Sequence, residues 1–501
     1  MVADPGQGLR GRVRRRSAGP RAGPGLAPAR AEPGRAPRRR RSAARLPGAR
    51  ARPDGLRRLA GRLSVRVLFV TASYLPESVG GVELHIAGLA RALTAAGHEA
   101  CVLARGGAAD LGHLQTTSER VDGVTVVRLG NTFEHATTLQ KLVADDELAD
   151  AAMDVVRRLA PDVLHVHHLT CLSTALLDRL RDAGLPTVMT LHDFWMGCPR
   201  GQRITAELEL CPEIRLDKCV GCLRELWPHL LGAGRAPQDS PEEQSAQDRA
   251  LLESYHADIR RGLAGVDALL TPSAFMARMY EHYGLAPGSL RVLENGLPSA
   301  AWKHHARRPR AGGPLRIGFI GSVLPSKGVH LLLSAFRMLG DPSELRLDIY
   351  GEVLPFHNDR SYGQRLQALR EGLEHVITLH GRYENDELPQ ILQGLDVVVV
   401  PSIWYEAYCL TIREAFLAGV PVVAANHGAM AEAIDDGVNG LLFEAGDSRS
   451  LAAVLQTLAA DPVLRERLSH ASGRVRDEAD SAAELLGLYA QLLAGKGAAR
   501  P

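Results

Sequence analysis

The sequence predicts an α/β fold in two doubly wound halves, because short apolar runs alternate with helical stretches in two successive series. Buried parallel strands are typically such runs, rich in β-branched residues, and the helices between them supply the crossovers. The first series is VRVLFV (65–70), HEACVLA (98–104), VTVVRL (124–129), DVLHVHH (162–168), PTVMTLHD (186–193) and VDALLTPS (266–273). The second series is LRIGFIG (315–321), LRLDIYG (345–351), VITLHG (376–381), LDVVVVPS (395–402) and VPVVAAN (420–426). Two such halves predict Rossmann-like domains facing across a cleft, with a ligand at the carboxyl edges of both sheets.

The composition of the chain predicts where these domains begin and end. The predicted segments are a disordered Arg/Pro/Gly-rich leader (1–63), a first domain with a cysteine-containing insert (64–300), a linker (301–314), a second domain (315–475), and a C-terminal helix and tail (476–501). The linker is polar, basic and rich in Gly and Pro, which is typical of interdomain segments. Residues 200–260 show a less regular pattern, so we expect an insert near the cleft with a surface excursion at 238–248.

The overall composition, 45% hydrophobic and 23% charged, is that of a soluble globular protein. The sequence has no apolar run of about 18 residues, and its start lacks the apolar core of a secretory signal. An odd number of cysteines, seven, in a chain without such a signal indicates a reducing compartment. We therefore expect a cytoplasmic protein, and peripheral contact with an anionic membrane at its inner face stays open.

Charge is distributed unevenly along the chain. Residues 1–63 hold 18 arginines, no lysine and three acidic residues, for a net charge of +15. Since the whole chain carries +2, the other 438 residues carry −13. An acidic body argues against a nucleic-acid partner. The leader fits three interpretations: a solvated tail, an electrostatic tether to anionic lipid or nucleic acid, or translated sequence upstream of the true start.

Each half has a strand–loop–helix junction suited to an anion. Gly80 and Gly81 lead into a helix, where adjacent glycines let the backbone approach a ligand and the helix N-terminus attracts negative charge. Lys327 lies between strand 315–320 and helix 329–339, where a lysine can meet a nucleotide phosphate as a point charge. Taken alone, the first motif is more typical of an ordinary turn and the second of a solvated surface lysine.

Two glutamates of the second half have the spacing E-x7-E. Glu406 follows strand 396–400 at its carboxyl end, and Glu414 lies in the first turns of the next helix. Carboxylates there can accept hydrogen bonds from the vicinal hydroxyls of a ribose or hexose, while the loop amides of residues 409–411 can meet phosphate. Because two glutamates at this spacing also occur by chance on protein surfaces, the surrounding residues decide the interpretation.

The surrounding residues carry a resemblance to a known family. The relevant stretches are GGVELHIAGLARALTAAGHE (80–99), TLHDFW (190–195), GSVLPSKGVHLLLSAF (321–336), GRYENDELPQIL (381–392), PSIWYEAYCLTIREAFLAGVPVVA (401–424) and NHGAMAEAIDDGVNGLLF (426–443). In order and spacing the chain resembles the family-4 retaining glycosyltransferases of the GT-B fold, from about residue 64 to 475. The resemblance implies transfer of a sugar from a nucleoside-diphosphate sugar to a hydroxyl of a glycan, lipid-linked or small-molecule acceptor. The nucleotide, whether UDP, GDP or ADP, stays open.

The resemblance also implies roles for individual residues. Glu414 would hold the donor ribose, Glu406 the hydroxyls of the donor sugar, and His192 the sugar near its reacting carbon. The other histidines of this region are expected in the core or lining the cleft. The residues expected around the diphosphate are Gly80, Gly81, Lys327, Cys409, Leu410 and Thr411. No catalytic metal is implied, because the fixed cation and helix dipoles stabilise the leaving diphosphate.

The chain departs from the family pattern at two places in the donor site. Many members have an arginine where this chain has Ser322, and Arg382 is a candidate for the missing charge. The usual Gly-Phe-Gly after the first glutamate is replaced by residues 407–409, Ala-Tyr-Cys. This bulkier floor leaves the donor sugar undetermined. Two alternative functions also stay open: a non-catalytic binding or scaffold protein, and an epimerase or phosphorylase of the same fold.

Four of the seven cysteines lie close together in the insert. They are Cys198, Cys211, Cys219 and Cys222. The last two have the spacing of a zinc ligand pair, and four thiolates are what a structural zinc requires. A structural zinc here would stiffen a loop over the acceptor. The alternative is a set of unpaired thiols in an irregular insert.

Overall fold

The structure, a computed structural model, describes residues 64–107, 111–231, 240–285, 290–302, 312–339, 342–357, 359–470 and 473–497. The predicted leader lies outside these residues, and so do residues 303–311 of the predicted linker. The described residues form two largely parallel β-sheets connected by helices, so the predicted fold class is confirmed.

Within the described residues, the first sheet has eight strands in the order β3-β4-β2-β1-β5-β6-β7-β8. The strands are β1 (Arg66–Thr71), β2 (Glu99–Gly106), β3 (Thr116–Val121), β4 (Val124–Gly130), β5 (Val163–Val166), β6 (Thr187–Thr190), β7 (Ala268–Thr271) and β8 (Leu290–Val292). Neighbours pair in parallel except β3 and β4, which are antiparallel. The chain leaves β1 toward β2 and returns to the opposite side at β5, which makes the β1–β5 junction the topological switch point.

Helices pack on both faces of this sheet. They are α1 (Gly81–Ala95), α2 (Leu139–Val143), α3 (Asp146–Leu159), α4 (Ala175–Asp182), α5 (Leu216–Leu226), α6 (Pro228–Leu231), α7 (Pro241–Ala264), α8 (Ala274–His282) and α9 (Ser299–Trp302). Alternate residues of β1 face two separate cores: Leu68 and Val70 pack with α3, α4 and α7, whereas Val67 and Phe69 pack with α1. This alternation explains why the strand is a continuous apolar run.

The second sheet has six strands in the described part of the chain, in the order β11-β10-β9-β12-β13-β14. They are β9 (Leu315–Ile320), β10 (Leu345–Tyr350), β11 (Ile377–Gly381), β12 (Val397–Val400), β13 (Val422–Ala425) and β14 (Gly440–Phe443). All of them pair in parallel. The switch point of this sheet lies between β9 and β12, where a doubly wound fold binds its ligand.

The helices of the second half surround this sheet. They are α10 (Val329–Met338), α11 (Tyr362–Arg370), α12 (Leu388–Gln393), α13 (Leu410–Ala418), α14 (Gly428–Ala433), α15 (Ser448–Ala460), α16 (Pro462–His470) and α17 (Glu478–Gly497). One apolar core, which includes Ile317, Leu332 and Leu455, holds most of them together. Among the helices that the structure describes, none is long and apolar enough to cross a membrane.

The C-terminal helix α17 returns to the first half of the molecule. Its Leu485 and Tyr489 lie in the same core as Phe69 of β1. The Tyr489 hydroxyl also forms a hydrogen bond of 2.6 Å with Nδ1 of His165, inside the first sheet. The C-terminal helix α17 is therefore attached to β5 of the first sheet, the strand that contains His165.

The insert is more regular than its sequence pattern predicts. The polar stretch 238–248, expected as a surface excursion, is helical in its described part, because α7 begins at Pro241 and continues to Ala264. Ser240 caps this helix: its hydroxyl accepts from the Glu243 amide, and the Glu243 carboxylate accepts from the Ser240 amide. The Ser-Pro-Glu-Glu sequence is a capping box with proline at the first helical position, so the signal was present.

Three short strands were not predicted by apolar runs. The residues of β3 are mostly exposed, because β3 is an antiparallel edge strand with a polar sequence. β8 has only three residues and β14 only four, so neither gives a periodic signal. All three lie at or beside the outer edges of the sheets, away from the switch points.

The two halves contact each other through α8 of the first and α14 of the second. The backbone amides of Ala274 and Phe275, at the start of α8, donate to the Glu432 carboxylate at 2.8 and 2.6 Å. A carboxylate at a helix N-terminus is favoured by the helix dipole and by the unpaired first amides. The Tyr405 ring packs against Phe275, with 5.1 Å between centroids. These contacts bring the carboxyl edges of both sheets to one cleft.

Candidate functional site

The loop after β9 brings Lys327 to Glu406 at the switch point of the second sheet. Lys327 ends a 3-10 turn (Pro325–Lys327) just before α10, and Glu406 follows β12. The Lys327 Nζ and Glu406 Oε1 atoms are 2.7 Å apart. The carboxylate side chain is 7% exposed and the lysine side chain 27%. This shielding from water strengthens the attraction between the two charges.

Glu406 is held by two further donors from its own loop. The Ser402 hydroxyl and the Trp404 indole donate to Glu406 Oε1 at 2.7 and 2.8 Å. Burial alone would raise the pKa of Glu406, but the charge and hydrogen bond of Lys327, with the two neutral donors, lower it overall. Burial likewise opposes the charged form of Lys327, and the Glu406 carboxylate raises the pKa of that ammonium. Both groups are therefore charged at neutral pH.

Gly328 makes the Lys327 turn possible. Its φ is +73°, in the left-handed region that favours glycine, and it is the N-cap of α10. A Cβ atom added to Gly328 would lie 1.9 Å from the carbonyl oxygen of Pro401, which is backbone and cannot rotate away. The turn at Lys327 thus lies so close to the loop at Glu406 that only glycine fits at position 328.

Gly328→Ala is expected to destabilise the protein by about 3–5 kcal/mol, since it combines left-handed strain with a backbone clash. Gly437→Ala is the matched control, because Gly437 also has positive φ (+76°) but has open space around its Cβ position. The control should cost about 1–2 kcal/mol. Chemical denaturation of both variants measures the difference. Equal losses in the two variants would contradict the close approach of the two loops.

Glu414 lies in the first turns of α13, as the sequence predicts, and is partly buried in the cleft wall. Burial raises the pKa of Glu414 to about 7. The nearby Tyr383 phenol is also buried, and its pKa is raised by burial and by the Glu414 charge. The site therefore holds a carboxyl group whose charged form is poorly solvated and gains from hydroxyl donors.

The N-terminus of α13 faces the first half across the cleft. Cys409 is its N-cap, no side chain caps the helix, and the first amides of an α-helix have no intrahelical acceptor. A Cβ on Gly81 would lie 3.3 Å from Leu410 Cδ1, so the glycine junction of the first half meets this helix start. The start of α1 likewise has no side-chain cap. The start of α13 is therefore suited to an anion, whereas at the start of α1 the buried Glu83 carboxylate lies beside Gly80.

Cys409 has φ of +59°, a left-handed conformation that is strained for a residue with a side chain. This is the position where the resembling family has glycine, so the backbone geometry is kept although the residue differs. Burial raises the pKa of the Cys409 thiol to about 12, so it is neither a thiolate nor a nucleophile at neutral pH.

His192 lies in a group of histidines at the first sheet's switch point. His167 follows β5 and His192 follows β6, and His167 Nδ1 and His192 Nε2 are 2.8 Å apart. His85 of α1 packs against both rings, with centroid distances of 5.7 and 5.5 Å. Burial lowers the pKa of His85 to about 4, and burial with the neighbouring imidazoles lowers the pKa of His192 well below its usual value. These rings are neutral at neutral pH.

The structure brings most of the predicted donor-site residues together, but not all of them. Lys327 contacts Glu406 directly, and Gly81 approaches Leu410. Arg382 lies two strands away, after β11, with its side chain 65% exposed and 3.5 Å from Glu384. Ser322 is also exposed. The geometry thus gives no support to Arg382 as the replacement for the family's arginine.

The structure does not support the predicted zinc site at the four cysteines of the insert. A metal site needs at least three ligand atoms close to one another. Among the described residues, none of the four cysteines belongs to a group of three or more side chains whose ligand atoms all lie within 4.8 Å. All four are free thiols, and Cys211 Sγ donates to the Glu213 carbonyl. Burial raises the pKa of Cys219 to about 12. The alternative interpretation, unpaired thiols, agrees with this geometry, although the segment around them is more ordered than predicted.

Several residues of the site were missed by the sequence interpretation. Ser402 and Trp404 hold Glu406, and Tyr383 lies beside Glu414. Trp404 also places its ring 5.1 Å from Lys327 Nζ. Ser402 and Trp404 could have been found from the sequence, because they lie only a few positions before Glu406 in the chain. No signal pointed to Tyr383, which comes from the loop after β11.

Two doubly wound sheets, with an uncapped helix start and a shielded Lys–Glu pair at the second switch point, define a two-domain protein of the nucleotide-binding type. Residues 79–300 match the model described as Glycosyltransferase Family 4, and residues 301–474 match the model described as Glycosyl transferases group 1. The chain belongs to glycosyltransferase family 4 and is a glycosyltransferase of the GT-B fold. The family and the enzyme class expected from the sequence are confirmed.

Curated relatives cover most of the chain. A glycogen synthase of Mycobacterium tuberculosis (strain ATCC 25618 / H37Rv) is 26% identical over 423 residues, which are 81% of this chain and 89% of the relative. A D-inositol 3-phosphate glycosyltransferase of Thermomonospora curvata is 28% identical over 414 residues, which are 79% of this chain and 86% of the relative. Both relatives are named as sugar-transferring enzymes.

Solved structures share the fold. Sucrose-phosphate synthase from Thermosynechococcus elongatus matches with a TM-score of 0.61 and 18% identity, over 86% of this chain and 100% of that chain. Anabaena HepE in complex with UDP and glucose matches with a TM-score of 0.59 and 18% identity, over 85% of this chain and 100% of that chain. At this identity the similarity establishes the architecture alone.

Proposed function

We propose that the enzyme transfers a hexose, with retention of anomeric configuration, from a nucleoside-diphosphate sugar to a hydroxyl of a glycan, lipid-linked or small-molecule acceptor. The observation that carries the proposal is the shielded Lys327–Glu406 pair at the second switch point, 2.7 Å between Nζ and Oε1. A partly shielded cation beside the uncapped start of α13 suits a diphosphate, and the buried Glu406 carboxylate in contact with it suits sugar hydroxyls.

The donor fits this half of the cleft from the nucleotide to the sugar. Glu414, with its raised pKa, gains hydrogen bonds when it accepts from the two ribose hydroxyls. The amides at Cys409, Leu410 and Thr411 meet the diphosphate, and Lys327 neutralises it. A bound diphosphate competes with Glu406 for the lysine, which turns the carboxylate toward the sugar hydroxyls.

The transfer step needs stabilisation of the leaving diphosphate and of positive charge on the sugar ring. Lys327 and the helix starts act on the developing negative charge, and they do so in a shielded site where such interactions are strong. Glu406 and neutral His192 act on the sugar from opposite sides of the cleft. The hydroxyl attacks from the face that the diphosphate leaves, and a departing phosphate oxygen takes its proton. No protein nucleophile is required.

We propose that residues 315–475 bind the donor and that residues 64–300 bind the acceptor at the carboxyl edge of the first sheet. The names of similar proteins support a UDP or ADP donor: HepE was solved with UDP and glucose, and a starch synthase IV of Arabidopsis thaliana with ADP and acarbose. Two relatives named as glycogen synthase and D-inositol 3-phosphate glycosyltransferase support a hydroxyl of a glucan or of an inositol phosphate as the acceptor. We expect the reaction in the cytoplasm.

Release of nucleoside diphosphate tests this function. The folded protein is incubated with UDP-, ADP- or GDP-hexoses, each with and without glucan oligosaccharides, inositol phosphate or lipid-linked sugars. We expect acceptor-dependent release from one nucleotide class, and a product whose new bond keeps the configuration of the donor, measured by proton NMR. A folded protein that consumes no donor across this panel would contradict the proposal, and inversion would contradict the mechanism.

A further inference from the structure

Three histidines at the first switch point bring their ring nitrogens close to one another. His85 comes from α1, His167 from the end of β5 and His192 from the end of β6. One ring nitrogen of each lies within 4.8 Å of the others. The His167 ring is fully buried. Its Nδ1 atom shares a hydrogen bond with His192 Nε2, and a metal ion held by these two nitrogens would replace that hydrogen bond.

We propose that His85, His167 and His192 form a binding site for a divalent transition-metal ion such as Zn²⁺, with a fourth position open to the cleft. Three imidazoles with one open position are a recognised donor set for zinc, and imidazole also suits cobalt and nickel. Burial keeps the three rings neutral, which is the form that binds a metal.

The geometry needs only a small adjustment to accept the ion. Tetrahedral ligands at about 2.0–2.1 Å from zinc are about 3.3 Å apart. His167 Nδ1 and His192 Nε2 are 2.8 Å apart, so their rings must separate by about half an ångström. The two rings are nearly parallel, at 15° with 5.1 Å between centroids, so this separation requires one of them to rotate. His85 and His192 are 8% and 9% exposed, which leaves an entry path from the cleft.

The site has a consequence that rests on the proposed function. A metal ion ligated by His192 occupies the nitrogen that would otherwise contact the donor sugar. Binding of the ion and binding of the donor sugar therefore exclude each other, and the ion acts as a competitive inhibitor. The metal site itself, formed by His85, His167 and His192, does not depend on whether the enzyme uses His192 in transfer.

The test is a titration of the full chain with Co²⁺, followed by visible absorption, and with Zn²⁺, followed by calorimetry. We expect one tetrahedral ion without the near-ultraviolet charge-transfer bands that thiolate ligands produce. His85→Ala and His85→Phe should bind at least roughly tenfold more weakly. His85→Phe keeps a ring of similar size, so a loss there is not a packing effect. His375→Ala, at an exposed histidine of the second half, is the matched control and should bind as the wild type does.

The outcomes separate the site from the proposed function. Absence of binding, equal binding by the His85 variants, or thiolate charge-transfer bands that place the ion at the insert cysteines would overturn the metal site. Where a donor is turned over, Zn²⁺ should raise its apparent KM in the wild type and much less in His85→Phe. An unchanged KM at saturating Zn²⁺ would overturn the competition. The binding titrations need no turnover, so they stay decisive if the proposed reaction fails.

Discussion

Replacing Lys327 with alanine is expected to reduce kcat/KM for sugar transfer by about 10²–10³-fold. The variant removes the cation that neutralises the leaving diphosphate, and it leaves the Glu406 carboxylate buried beside an uncharged side chain. The pKa of Glu406 should then rise, because the lysine's charge and hydrogen bond are what hold it down against burial. As the solution is acidified, the variant should therefore lose its residual activity at a higher pH than the wild type loses its activity. Initial rates across a pH series measure both effects.

Two further variants separate charge from structure. Glu406→Gln keeps the shape of the side chain, and it should lower kcat/KM by a similar factor. The double variant should lose much less than the product of the two single losses, since each single change already breaks the same ion pair. Lys141→Ala is the control, because Lys141 is an exposed lysine of the first half. A Lys327→Ala enzyme with more than about half of the control's activity would contradict the assigned role.

Replacing Glu414 with alanine is expected to weaken nucleotide binding by about 10–100-fold, the value of one or two hydrogen bonds to a charged acceptor. The wild-type affinity should depend on pH. Ribose hydroxyls donate best to the carboxylate form of Glu414, whose pKa is about 7, so affinity should rise with pH up to about 7 and level off above it. Calorimetric titrations from pH 5.5 to 8.5 test this, with Glu384→Ala as an exposed control.

The same group makes a separate contribution to stability. The pKa of Glu414 is higher in the folded chain than its ordinary value, so the folded state binds the proton more tightly. Its stabilising effect is fully present below the unfolded-state pKa and is lost as pH rises through about 7. Glu414→Gln, which cannot ionise, should therefore unfold at a higher denaturant concentration than the wild type at pH 8. A nucleotide affinity that does not change with pH would contradict the role of Glu414.

The sequence predicted the central strands and the position of the candidate site because both features depend on local sequence patterns. β1, β5, β6, β9 and β12 are short, mostly apolar segments, and parallel strands place the residues that follow them at one edge. The family resemblance then selected Lys327, Glu406 and Glu414 from the residues at that edge. Peripheral strands such as β3 were missed because an exposed edge strand needs no apolar run.

Other features of the site depend on tertiary contacts that no local pattern reports. The direct pairing of Lys327 with Glu406 joins residues 79 positions apart, and it depends on a glycine close to the Pro401 carbonyl. The histidine group depends on the register of α1 against β5 and β6, which sequence spacing does not determine. The predicted zinc site gains no support for a related reason: the cysteine spacing was suggestive, but among the described residues no three of these sulfur atoms lie within 4.8 Å of one another.

The most direct test of the central claim is a calorimetric titration of the folded protein with UDP, ADP and GDP. The proposed donor site predicts micromolar binding of one nucleotide at a single site in the wild type, and no measurable binding in the double variant Lys327→Ala/Glu414→Ala. A folded wild-type protein that binds none of the three nucleotides, or a double variant that binds as tightly as the wild type, would contradict a nucleotide-sugar donor site at the second switch point.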